Sequence, residues 1–197
     1  RPDVVDKVLA MGANVNNRGL TDNQTALNAC IKMIGIAKDP KRYWDSVLQM
    51  QLTPEVLDSI RRANSGMTGF TLEDQLEFLS AQNSDPKFKQ ILGLLTSFMS
   101  GELVNRIDIV KMRLIASQLI EAGADVNAEH AAPVKGYTPL MLAAELDEVG
   151  LFNKMLSNGG DPRKTYYCKN TKLSVDCWRI AEYFGSTNIR NRSPGPY

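Results

Sequence analysis

Apolar residues along this chain fall at helical spacing, and three such stretches run into a glycine. Val8-Leu9, Leu119-Ile120 and Met155-Leu156 close amphipathic segments that are followed by Gly12, Gly123 and Gly159. That pattern predicts helices with a glycine just past the end, where the chain needs φ > 0 and a Cβ would be strained. Between the first and second of these glycines, Leu72, Leu76 and Leu79, then Ile91, Leu94, Leu95 and Phe98, keep the same spacing. Glu102–Ala122 reads as one long helix carrying a stripe of Leu103, Ile107, Val110 and Leu114. No stretch alternates strongly enough to predict a strand, so a mostly helical chain is expected.

The glycine signals belong to longer motifs that recur. Gly12-Ala13-Asn14-Val15-Asn16 returns as Gly123-Ala124-Asp125-Val126-Asn127 and, more loosely, as Gly159-Gly160-Asp161-Pro162. Gly136-Tyr137-Thr138-Pro139-Leu140 leads into Met141-Leu142-Ala143-Ala144, and Thr25-Ala26-Leu27 precedes Asn28-Ala29-Cys30 in the same way. Thr at the N-cap, with Pro at the first helical position in the later copy, starts a helix. Small residues at Ala143 and Ala144 allow close helix packing.

With these motifs in hand, the chain resembles the ankyrin-repeat family. Residues 136–162 carry the resemblance most fully, with Thr138-Pro139-Leu140, Ala143-Ala144, Leu151-Phe152, Met155-Leu156 and Gly159-Gly160-Asp161-Pro162 in register. Met141 and Asp147 stand where the family pattern has His and Gly. Asp176–Gly185 looks like a degenerate last repeat, with Asp176 as N-cap and Trp178 at the buried Leu position. Residues 4–16 look like the second helix and turn of a first one. The resemblance covers about 110 residues. It implies an all-α, ankyrin-type α-solenoid of about three to four repeats with turn fingers near 14–24, 125–137 and 161–175.

The middle of the chain departs from this pattern. Leu27 to Gly123 spans 96 residues, against 19 from Leu140 to Gly159, an excess of 77. No second Thr-Pro-Leu lies inside it. Helix starts at Asp39-Pro40, Thr53-Pro54-Glu55, Thr71–Asp74 and Asp85-Pro86 point to a helical insertion. The expected organisation is therefore N-terminal repeats over 1–31, the insertion over 32–108, and C-terminal repeats with a capping repeat over 109–197.

Composition narrows the function only a little. The 197 residues include 23 Lys and Arg and 22 Asp and Glu, a net charge of +1, so no global field favours nucleic acid or an anionic membrane. Apolar runs are too short to span a bilayer, which takes ~20 residues. The chain opens on Arg1-Pro2 rather than Met, which points to a longer natural sequence, and shows no basic-then-apolar targeting pattern. Cytoplasmic and secreted or periplasmic locations both stay open.

Candidate chemistry is sparse. Phosphate-loop, dinucleotide, zincin and nucleophile-elbow motifs are absent. His130 is the single histidine, expected as an exposed loop residue beside Glu129. With three cysteines, none in Cys-x-x-Cys spacing, a zinc site is poorly supplied. Cys30 is expected as a buried, inert thiol. Cys168 and Cys177 flank a polar loop, and both a disulfide in an oxidising compartment and two reduced thiols stay open. No catalytic residue, metal or cofactor is expected.

The expected partner is another protein, with no nucleic acid and no membrane insertion. The resemblance implies a binding face built from fingers and inner helices. On it the pattern offers Lys135, Tyr137, Glu145 and Leu146, and in the last finger Arg163, Tyr166 and Tyr167. Tyr43 and Trp44, near Met33, Met50 and Met67, are the rival site, with a core role for them the other reading. The alternative function is an inhibitor, immunity-type or effector subunit whose specificity or activity lies in the insertion.

Overall fold

The computed structural model describes residues 1–20, 23–43, 46, 104–130, 134–169 and 171–192. Their elements are α1 (Pro2–Ala10), α2 (Ala26–Lys38), a 3₁₀ turn (Val104–Arg106), α3 (Ile109–Glu121), α4 (Pro139–Glu145), α5 (Val149–Ser157), β1 (Tyr166–Cys168), β2 (Leu173–Val175), α6 (Cys177–Tyr183) and α7 (Thr187–Arg190). The described part is mostly helical, and none of its helices is long and apolar enough to cross a membrane.

The helix starts follow local chemistry. Thr25, Asp108, Thr138 and Asp176 each accept a hydrogen bond from the backbone N–H three residues on, satisfying a donor that the first turn leaves open. The helices then pack in two rows. α2 lies on α4 and α4 on α6, while α1 lies on α3 and α3 on α5. The rows meet where α2 packs on α3 and α4 on α5. Leu27, Ile31, Ile120, Leu140, Phe152 and Ile180 fill the space between them and are almost wholly removed from water.

Side-chain amides tie successive turns together. Asn16 donates from Nδ2 to the Gly123 carbonyl at 3.1 Å and accepts from the Asp125 N–H at 2.7 Å. Asn127 repeats the arrangement one unit later, donating to the Gly159 carbonyl at 2.9 Å and accepting from the Asp161 N–H at 2.8 Å. Gly12, Gly123 and Gly159 have φ of 86°, 86° and 85°, as the sequence pattern requires.

Asp147, in the turn between α4 and α5, has φ 54° where glycine would be the easier residue. Its carboxylate offsets that strain by accepting from Asn188 Nδ2 at 2.7 Å and from the Ile189 N–H at 3.1 Å. The Asp thereby anchors α7 to the preceding unit, which glycine would not do.

Several expectations need correction. The chain is not all-α: the third finger is a hairpin in which Tyr166, Tyr167 and Cys168 pair antiparallel with Val175, Ser174 and Leu173. The helix expected over Glu102–Ala122 starts only at Ile109, because Asp108 caps it there. Its buried face is Ile115, Ala116, Leu119 and Ile120, while Val110 and Leu114 are exposed. The boundary at residue 31 falls inside α2, which runs to Lys38. Asp39 does start a new helical stretch over 40–43, accepting from the Arg42 N–H at 2.9 Å. His130 is buried, held in the second finger by its backbone N–H to the Tyr137 carbonyl. The remaining insertion helix starts, with Trp44, Met50 and Met67, lie outside the described residues.

Candidate functional site

The face that the sequence offered for binding divides into a buried half and an exposed half. Tyr137 is fully buried, because its hydroxyl donates to Glu145 Oε2 at 3.0 Å and its ring meets that of Tyr166 edge-on at 5.4 Å. Glu145 is buried too. Ser46 donates to its other carboxylate oxygen, and Ser186 donates to its backbone carbonyl at 2.8 Å. Burial pushes the Glu145 carboxyl above its ordinary range, against the lowering effect of the Ser46 and Tyr137 hydrogen bonds and the Arg42 charge. Tyr166 faces inward, and burial pushes its phenol up to about 12. Tyr137, Glu145 and Tyr166 are thus buried, not on the exposed face where the sequence pattern put them.

Tyr43, the described half of the rival pair, is also core. It packs on Ile36, with Met33, Ala37 and Ile107 around it. Burial, and then the charge of Glu145, push its phenol up. Leu146 is half-buried, its methyls lying 3.0 Å and 3.1 Å from where a Cβ on Gly35 would stand. Lys135 and Arg163 are exposed, with the Arg163 backbone N–H bonded to Asp161 Oδ1 at 2.9 Å.

Strand parity explains why adjacent tyrosines differ. On β1, Tyr166 and Cys168 point toward the core, whereas Tyr167 points away and is 57% exposed. The pairing puts Val175 opposite Tyr166 and Leu173 opposite Cys168, hence on the inward face of the hairpin. That face is not fully covered, and Leu173 remains 62% exposed. Between it and α6 lies a groove of about 260 Å³, lined mainly by apolar atoms of Leu173, Val175, Ile180, Tyr183 and Phe184, with Cys168 in its wall.

The cysteines are free thiols, each held by a separate part of the fold. Cys168 sits on β1. Cys177 opens α6, with its N–H bonded to the Pro162 carbonyl. Burial pushes the Cys177 thiol up, with the nearby Asp176 and Asp161 charges adding to the effect. Cys30 is partly buried, and its thiol is raised to about 11 by burial.

A second charged node was not legible in the sequence. Glu148 receives both Nε and Nη2 of Arg113 at 2.8 Å and Lys38 Nζ at 3.0 Å, while Lys38 also reaches the Leu146 carbonyl at 2.6 Å. It joins α2, α3 and the α4–α5 turn and serves the fold. Among the described residues no group of three or more His, Cys, Asp or Glu is placed to hold a metal ion.

The groove itself was missed by sequence reasoning. Its signal was the alternation through Tyr166–Cys168 and Leu173–Val175 around the polar turn 169–172, a hairpin pattern short enough to pass for a loop. Compared with known proteins, the chain matches no family model and no curated protein.

Proposed function

We propose that this chain is an ankyrin-type repeat module, its repeats interrupted by a helical insertion, that binds another protein where the last finger meets the last inner helix. The observation that carries the reading is the groove between β2 and α6, an apolar slot with Leu173 and Tyr183 still 62% and 49% exposed at its mouth. Side chains in such a position stabilise the folded chain little and offer a partner a large contact area. The two-row helix packing and the recurring Asn16 and Asn127 bonds support the repeat reading. Tyr167, on the opposite face of the hairpin from the groove, and Arg163 are exposed as well.

A photo-crosslinking side chain at position 183 tests the proposal, with the same group at Val110 on the outer row as control. A discrete crosslinked partner is expected at 183, lost when Leu173→Ser is added and absent at 110. Equal crosslinking at the two positions would refute the reading.

A further inference from the structure

The charge around the groove goes further than its shape. Residues 161–192 contain seven Lys and Arg against three Asp and Glu, a net +4, while the whole chain is only +1. The remainder therefore carries −3, and the positive excess gathers in the unit that bears the groove. Arg179 lines the slot, and other cations neighbour its lining residues along the chain. Lys169 and Lys172 belong to the hairpin tip beside the lining residues Cys168, Thr171 and Leu173. On α6, Glu182 is shared by Arg179 at 3.3 Å and Arg190 at 3.8 Å, so one carboxylate faces two guanidiniums. At the end of α6, Arg42 donates to the Phe184 carbonyl at 2.7 Å, adding a cation next to a lining residue.

We infer that the occupant of this groove is an acidic peptide segment carrying one large apolar side chain. The inference rests on the binding-module reading and names the chemistry of the partner. The apolar side chain would enter between Leu173, Val175, Ile180 and Phe184, a volume on the scale of a single residue rather than of a whole small ligand, for which sites of ~300–1,000 Å³ are usual. Carboxylates on either side of it would face Lys169 and Arg179. Those cations are exposed, so they contribute mainly to encounter rate and to the choice of partner, and added salt weakens them.

The test uses the full chain and three labelled synthetic peptides followed by fluorescence anisotropy: one Phe flanked by Asp and Glu, the same peptide with Lys for every acid, and the acidic peptide with Ala for Phe. The expected result is saturable binding of the first, at least about tenfold weaker binding of the other two, and loss of affinity on adding salt. Leu173→Ser and Lys169→Glu, both at exposed positions, should each weaken the first peptide by about tenfold without shifting the thermal midpoint. Equal binding of the acidic and basic peptides, or no saturable binding, overturns the inference. Self-association of the chain that Leu173→Ser abolishes also overturns it, assigning the groove to a second copy. A partner crosslinked at position 183 that lacks an acidic stretch would leave the binding-module reading standing and remove this one alone.

Discussion

The hydroxyl of Tyr137 donates to the carboxylate of Glu145 at 3.0 Å, inside the inner row of helices, with Ser46 donating to the other oxygen from 99 positions away in the sequence. A buried carboxylate with two hydroxyl donors and no direct ion pair among the described residues is costly to ionise. Burial raises its pKa in the folded state above the ordinary 4.5. The folded chain therefore holds this proton more tightly than the unfolded chain does. The resulting stabilisation is complete below the ordinary carboxylate range and is lost as pH rises through the folded-state value. Glu145→Gln removes the titration and keeps a hydrogen-bonding group for Tyr137. In urea melts the variant should gain on the natural chain as pH rises from about 4 to about 8. A difference that does not change with pH would show that Glu145 is already well solvated.

Glu148 responds in the opposite sense. Burial alone would raise its carboxyl, but the hydrogen bonds and charges of Arg113 and Lys38 outweigh that and hold it below the ordinary range. Its contribution is present at neutral pH and is lost as pH falls through the lowered value. Glu148→Gln should cost ~1–3 kcal/mol at neutral pH, because charge-assisted hydrogen bonds are lost, and the cost should shrink in acid. Both partners are partly exposed, at 46% for Arg113 and 34% for Lys38, so the full cost of breaking a deeply buried pair is not expected. Melts at neutral and acidic pH check the sign.

Gly35 sits inside α2, where replacing Gly by Ala ordinarily helps a helix by ~1 kcal/mol. Here a Cβ would stand 2.9 Å from the Tyr43 ring and 3.0 Å from a Leu146 methyl. Gly35→Ala should therefore destabilise the chain, by ~1–3 kcal/mol through overpacking. Adding Leu146→Ala should recover part of that loss, a coupling that a double-mutant cycle reads directly. Independent, additive effects would place Leu146 out of reach of a side chain at position 35.

The starts and turns of the repeated units were readable because they depend on neighbours in sequence. Thr25, Thr138 and Asp176 cap the helices they precede, and Gly12, Gly123 and Gly159 adopt the positive φ that their position demands. Ala143 and Ala144, small enough for close helix packing, are indeed fully buried. Polar residues were misjudged because their fate depends on distant partners. Glu145 is polar and ends a short helix, a place that suggests exposure, yet α4 is so enclosed between α2 and α6 that all seven of its residues are buried. His130 and Tyr137 lie in a finger loop, but backbone bonds close that loop on itself and both side chains are buried. The groove needs β2 to pair with β1, which a three-residue strand scarcely announces.

The two tyrosines of the last finger separate stability from exposure in one experiment. Tyr166 is inward and meets the Tyr137 ring edge-on, so Tyr166→Ala leaves a cavity beside the Glu145 cluster and should cost ~3–5 kcal/mol. Tyr167 pairs with Ser174 on the outward face, so Tyr167→Ala should change stability by less than ~1 kcal/mol. If urea melts reverse the order, with Tyr167→Ala the costlier change, the strand register is shifted by one residue, which would exchange the faces of every side chain on β1. The same shift would bring Cys168 to the surface. Alkylation is therefore an independent check. In the register described, Cys168 and Cys177 are buried and should react slowly with iodoacetamide in the native chain, and all three cysteines should react once it is unfolded.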